Sequence, residues 1–383
     1  VLADVSIAPQ LAAEREGLKE GFTLSLQHAV LFRRRVMAGP MVIGGVEILP
    51  NTRQIVNIPV APVYTQDSLS LNINVVRGKR PGPTLFVCAA IHGDEINGVE
   101  IIRRLLMSRM LDKLRGTLIA IPIVNVYGFV NQTRELPDGR DLNRSFPGSA
   151  SGSLAARIAE TFMSEIVAHC THGIDLHTGA RHRSNFPQIR ANLLDSETLA
   201  MTNAFGAPIA INARIRDGSL RQAAAEKGVP VLLYESCEAL RFDEIYIRAG
   251  VKGILNVMRH IGMLRKSRGK TKPPMISEKT AWVRAPDSGV LRVLVSLGEL
   301  VEEGQVIGII ADPLGTQEVA VVADQTGIVI GRTNLPLAYE GDALFHIAQV
   351  SSENDWKLEA FTEIYAPESE SPLEVAQEPA IAL

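Results

Sequence analysis

The chain has 383 residues, 46% hydrophobic and 21% charged, with a formal net charge of −3; that is long for one ordinary core and implies two domains plus tails. The near-neutral balance gives no electrostatic case for nucleic acid, and neither a membrane span of roughly 20 apolar residues nor a signal-peptide core in Val1 to Glu20 is present. Cys88, Cys170 and Cys237 lie in apolar surroundings without pairing motifs, as buried thiols of a reducing compartment do, so a cytoplasmic protein is expected.

Residues 1–40 read as a peripheral segment, with Phe32-Arg33-Arg34-Arg35 as a solvated charge cluster. Short β-like runs with Pro and Asn breaks follow from Val42 to Val76, and the alternation in Leu71-Asn72-Ile73-Asn74-Val75 marks strands with one wet face. From Pro83 the rhythm is βαβ: a strand at 84–91, a helix near 97–106, and a strand at 118–124. Leu154, Ile158, Phe162 and Ile166 then fall on one face of a helix. A strand at 173–177 precedes an irregular stretch through Asn192. Helices at Ser196 to Phe205 and Gly218 to Lys227 lead to an apolar strand, Val229 to Tyr234. Alternating strands and helices imply an α/β catalytic domain over 41–265, its sheet mixed and largely parallel with helices on both faces.

Residues 266–280 turn basic and Pro-rich, as linkers do. The span 281–350 is all short strands and turns, and its halves echo each other: Ala285-Pro286-Asp287-Ser288-Gly289-Val290-Leu291 against Ala323-Asp324-Gln325-Thr326-Gly327-Ile328-Val329. This pseudo-repeat resembles the biotinyl/lipoyl barrel-sandwich fold, a small all-β domain. A swinging carrier needs a lysine, and none stands between Lys279 and Lys357. That leaves a lid, specificity or assembly role, with homo-oligomerisation open. Residues 351–383 are acidic and read as a partly disordered tail.

The chemistry concentrates at strand ends. His92-Gly93-Asp94-Glu95 follows the apolar run Thr84 to Ile91, and His177 ends Gly173-Ile174-Asp175-Leu176-His177. Ligands at the carboxyl ends of strands stand on the rim where α/β sheets place their sites. His92, Glu95 and His177 make a two-histidine, one-carboxylate set that suits one Zn²⁺ per chain with an open position. Asp175, two before His177, falls on the same strand face and suits either a hydrogen-bond acceptor behind it or burial against a neighbouring loop amide. His169, His172 and His182 read as surface or supporting groups. Glu235 ends the later apolar strand, also on the rim, with Glu238 as its neighbour and rival. Arg190 is a further candidate for substrate binding.

Taken together, His92-Gly93-Asp94-Glu95 with Asn97-Gly98, Asp141-Leu142-Asn143-Arg144, Asp175-Leu176-His177 and a later strand-end glutamate resemble the succinylglutamate desuccinylase/aspartoacylase family, over roughly residues 40 to 265. That family belongs with the carboxypeptidase-A-like zinc hydrolases. The resemblance implies a zinc-dependent deacylase that cleaves the amide of a small N-acyl amino acid. By the same resemblance Glu235 matches the general acid/base, and Arg134 the oxyanion arginine, with Arg140 as its rival. Asn143 and Arg144 match the pair that holds a substrate carboxylate, for which a guanidinium fork is suited. Two alternatives remain at this level: a zinc carboxypeptidase acting on short peptides, and a silent binding protein on the same scaffold.

Overall fold

The computed structural model describes residues 40–60, 69–267, 272–350 and 358–365. The basic triplet at 33–35, nearly all of the expected peripheral segment, the middle of the linker and most of the acidic tail lie outside the described residues. No described helix is long and apolar enough to cross a membrane.

A 13-stranded mixed sheet organises the chain. Its central strands, Arg115–Ile121, Arg80–Ala89, His172–Gly179 and Val231–Glu238, lie side by side and parallel. Arg115–Ile121, Arg80–Ala89 and His172–Gly179 are buried along most of their length, as strands covered on both faces are. Alternation splits each strand between two cores. In Arg80–Ala89, Phe86 and Cys88 join the core that holds Ile158 and Phe162 of helix Leu154–Glu165. Leu85, Val87 and Ala89 enter the opposite core with Ile101 and Leu105 of helix Asn97–Met107 and Ile254 and Met258 of helix Glu244–His260. The antiparallel strands Ser70–Arg77 and Thr52–Pro59 finish one edge.

On the other side the structure departs from the sequence reading. The stretch read as irregular contains the strand Arg183–Ala191, antiparallel to Val231–Glu238. Pro187, Ser184, Asn185 and Gln188 hide it from pattern reading, and pairing on both flanks imposes the extended form. Ile209–Asn212 lies parallel to its Gln188–Ala191 half, with Met275–Ser277 beyond. Helix Glu244–His260, capped by Asp243 accepting from the Tyr246 N–H, likewise answers no expectation. The strand carrying Glu235 runs on to Glu238, but its register breaks between the two, where Cys237 takes φ 73°.

The C-terminal β region has two facing layers. Glu318–Val322, Val306–Ala311, Gly289–Val293 and Leu337–Ala338 form a four-stranded sheet. The strands Thr280–Arg284, Ala343–Gln349 and Gly327–Thr333 form the second layer, and Leu291, Ile307, Ile310, Val329, Phe345 and Ile347 pack between the two. This second layer is a continuation of the catalytic sheet, because Gly331, Arg332 and Thr333 pair antiparallel with Asn185, Ser184 and Arg183. Ile328, Ile330 and Ala348 turn the other way and meet Phe186 and Ala249. Within the tail, helix Leu358–Tyr365 sets Phe361 against Phe186 at a 5.1 Å ring separation and Tyr365 under the Lys252 ammonium.

Candidate active site

Beyond Ala89 the chain turns sharply, with Ala90 at φ 51°, and its carbonyls are taken up by the next loop: Val124 N–H donates to the Ala89 carbonyl and Asn125 N–H to that of Ala90. Gly93 is required by close approach, since a Cβ there would stand 2.0 Å from the Gly128 carbonyl carbon. Asn97, fully buried, ties the motif across the sheet: Nδ2 donates to the Ser236 hydroxyl, and Oδ1 accepts from the Asp243 N–H.

His92, Glu95 and His177 converge as expected. Their ligand atoms lie within 4.8 Å of one another, all three residues are buried, and they form the one such group among the described residues. Glu95 sits between the imidazoles, Oε1 2.7 Å from His92 Nδ1 and Oε2 2.8 Å from His177 Nδ1. A second carboxylate stands behind each ring, with Asp141 Oδ1 3.2 Å from His92 Nε2 and Asp175 Oδ2 2.8 Å from His177 Nε2. Asp175 thus takes the supporting place foreseen for it, and the Cys88 thiol donates to its other oxygen. Asp141 had no role in the sequence reading beyond its motif; it also caps Leu142–Arg144 by accepting from the Asn143 N–H.

Burial works against a proton on either imidazole, yet the carboxylates prevail. Glu95 and Asp141 raise His92 above the ordinary histidine value, and Asp175 and Glu95 raise His177 well above it. Burial opposes ionisation of Glu95 as well, but the two histidines hold it far below the usual carboxylate range. Such concentrated negative charge suits a divalent cation. Two Nδ1 atoms and a carboxylate facing one another, with carboxylates fixing both Nε2 atoms, fit the donor set and outer support of a zinc site.

Arg134, rather than Arg140, reaches this cluster. Its Nη1 donates to Glu95 Oε1 at 3.1 Å and its Nη2 to Asp141 Oδ2 at 3.0 Å, and its carbonyl accepts from the Asn125 side chain. Arg140 is exposed, 3.6 Å from Asp138.

Glu235 pairs in register with His177 on the adjacent parallel strand, which sets it beside the cluster. Its Oε2 lies 2.7 Å from Arg190 Nε, although the N–H is not aimed as a hydrogen bond. Glu238 is committed elsewhere: it accepts from the His182 N–H at 2.9 Å and from Asn334 Nδ2 at 2.8 Å, fastening the C-terminal region to the rim. Asn143 is buried and its Oδ1 accepts from the Leu220 N–H, while Arg144 is exposed and donates to the Asn143 carbonyl.

That Leu220 bond brings in a residue the sequence reading missed. Arg221 is largely buried; its Nη2 donates to the Arg214 carbonyl, and its Nη1 has no hydrogen-bond partner among the described residues. Burial first, then the neighbouring Arg190, pulls its pKa down to about 10, against the opposite pull of Asp175 and Glu235. The only sequence signal was an arginine two residues after a helix-capping serine, Ser219. His172, read as a surface or supporting group, is wholly buried at the far end of its strand, 3.3 Å from Glu197.

Comparison with known proteins agrees with this geometry. Residues 81–261 match the model of the succinylglutamate desuccinylase/aspartoacylase catalytic domain. The N-alpha-acetyl-L-2,4-diaminobutyric acid deacetylase of Halomonas elongata is 29% identical over 297 residues, 72% of this chain and 84% of that protein. The crystal structure of a succinylglutamate desuccinylase/aspartoacylase from Rhodobacter sphaeroides superposes with a TM-score of 0.69 at 26% identity, covering 78% of this chain and 96% of that one. The product-bound ectoine utilization protein EutE (DoeB) from Ruegeria pomeroyi shares the fold, with a TM-score of 0.69, 23% identity and coverage of 78% and 95%. These structural matches cover more than the segment 81–261, so the shared architecture extends beyond the catalytic domain. Residues 81–261 are therefore similar to the catalytic domain of the succinylglutamate desuccinylase/aspartoacylase family.

Proposed function

We propose that the protein is a zinc-dependent deacylase that hydrolyses the amide bond of a small N-acyl amino acid in the cytoplasm. The observation that carries this reading is the buried His92–Glu95–His177 cluster with Glu235 in register beside it. The family domain and the Halomonas elongata deacetylase support the amide-hydrolysing class. Free, buried Cys88, Cys170 and Cys237 are consistent with a reducing compartment.

His92, Glu95 and His177 would hold the metal, which supplies Lewis acidity toward the amide carbonyl and lowers the pKa of a water to about 7. Glu235 takes a proton from the attacking water and delivers it to the departing amine nitrogen, the work of a general acid/base. Arg134 presents positive charge to the carbonyl oxygen as it becomes an oxyanion. Arg144 and the Asn143 amide bind the carboxylate of the amino acid, and Arg190 with the unpartnered Nη1 of Arg221 receives a second polar or anionic group. A panel of N-acetyl and N-succinyl amino acids alongside dipeptides, offered to zinc-loaded protein and scored by released amine, tests the assignment. Turnover confined to dipeptides would make it a carboxypeptidase instead.

A further inference from the structure

The C-terminal β region reaches toward Glu235 through a file of side chains. Trp282 and His346, paired across neighbouring strands, stack at 4.6 Å with their planes 7° apart. The Arg183 guanidinium lies over the Trp282 ring, 5.0 Å from its centre. Beyond His346 lies Arg190, whose Nη2 is 3.5 Å from His346 Nδ1 and whose Nε is 2.7 Å from Glu235 Oε2. His346 is 5% exposed. Nothing in the sequence marked it: it is one histidine in a β segment more than 150 residues from the strand it serves.

We propose that His346 is a positioning residue of the active site, fixing the Arg190 guanidinium beside Glu235 from the C-terminal β region. The inference rests on the reading of Glu235 as general acid/base. Arginine carries about 2 kcal/mol of side-chain rotamer entropy, so a guanidinium that must stay beside one carboxylate needs more than that carboxylate to hold it. Two long contacts supply that hold from opposite ends of the group, Gln188 Oε1 accepting from Arg190 Nε at 3.4 Å and His346 Nδ1 facing Nη2 at 3.5 Å. An arginine only donates, so Nδ1 is the acceptor and the imidazole proton resides on Nε2. Burial, followed by the charges of Arg190 and Arg183, pushes the His346 pKa down to about 3. The ring therefore stays neutral around pH 7, and adds no repulsion to the two guanidiniums flanking the stack.

Three variants and one spectrum test this. His346→Leu keeps bulk but removes the acceptor; kcat/KM should fall about 10- to 100-fold, the worth of a hydrogen bond to a charged group. His346→Asn places an amide oxygen near the site of Nδ1 and should recover to within about threefold of the native enzyme, a rescue mere packing would not give. In an Arg190→Ala background, His346→Leu should cause no further loss. Native kinetics for a folded His346→Leu, equal impairment of the Leu and Asn variants, or additive losses with Arg190→Ala would each overturn the proposal. The ¹⁵N spectrum of the full chain reads the same contact without turnover: His346 should show the Nε2–H tautomer, with an Nδ1 resonance that shifts on Arg190→Ala. An unmoved resonance overturns the proposal even if His346→Leu fails to fold. Absence of acyl-amino acid hydrolysis by the native protein would instead defeat the deacylase reading, leaving the His346–Arg190 contact to the spectrum.

Discussion

The two halves of the site treat buried polar atoms in opposite ways. Around His92, Glu95 and His177 both ring nitrogens of each histidine and both oxygens of Glu95 have partners, and Thr178 N–H adds a further donor to Glu95. Around Glu235, Arg190 and Arg221 the pairing is incomplete: Glu235 Oε2 and Arg221 Nη1 are buried without a hydrogen bond among the described residues. Asp94 Oδ1 is the exception on the first side. Buried polar groups are normally satisfied, and those left over call for an explanation. The paired half is a set of donor atoms already held in place by its own contacts, and the unpaired half leaves buried polar atoms without hydrogen bonds among the described residues.

The sharpest way to break this comparison is at the paired half. Native protein should bind about one zinc per chain, and His177→Ala should lose most of it together with turnover, read by elemental analysis. Undiminished zinc in that variant would place the cation elsewhere. Next comes Glu235→Gln, which should retain zinc but lose about 10²–10⁴ in kcat, because an amide cannot take the proton from water. Near-native rates for it beside an inactive Glu238→Gln would reverse the assignment of the two glutamates.

Smaller effects sharpen the open half. Arg144→Ala and Arg221→Ala should raise KM for carboxylate substrates about tenfold or more while kcat changes less, as loss of ground-state binding does. Arg221→Ala should also leave the melting temperature close to native, since one end of its guanidinium is unpaired; a large drop would mean that the residue is structural. The smallest effect is expected from Glu238→Gln. It should stay active and lose about 1 kcal/mol in chemical denaturation, because one of its two contacts, that with the Asn334 amide, then opposes donor to donor.

The convergence of His92, Glu95 and His177 was legible in the sequence because these residues sit in local motifs whose geometry the strand ends dictate. Helix Ser196–Phe205 was legible too, with Asp195 as its cap and Gly206 as its stop. The resemblance already set Arg134 ahead of Arg140, and the folded chain shows the physical difference: Arg134 faces Asp141, whereas Arg140 is exposed near Asp138. Strand Arg183–Ala191, Arg221 and His346 were beyond reach for one reason. Each is defined by what lies across from it, and those partners come from distant parts of the chain.

The junction at Arg183–Asn185 also bears on how the molecule is made. Strand Arg183–Ala191 gains its outer neighbour from Gly331–Thr333, which leaves the ribosome well over a hundred residues later. Until then a nascent chain holds the Arg183–Asn185 end of that strand without its outer neighbour, while Ile209–Asn212 already covers the Gln188–Ala191 half, and Phe186 and Ile209 belong to an apolar cluster not yet covered. Open edges of this kind invite pairing with the wrong chain. A later-made stretch therefore completes an earlier one, and expression of a fragment ending before residue 280 should yield aggregate rather than a smaller folded protein.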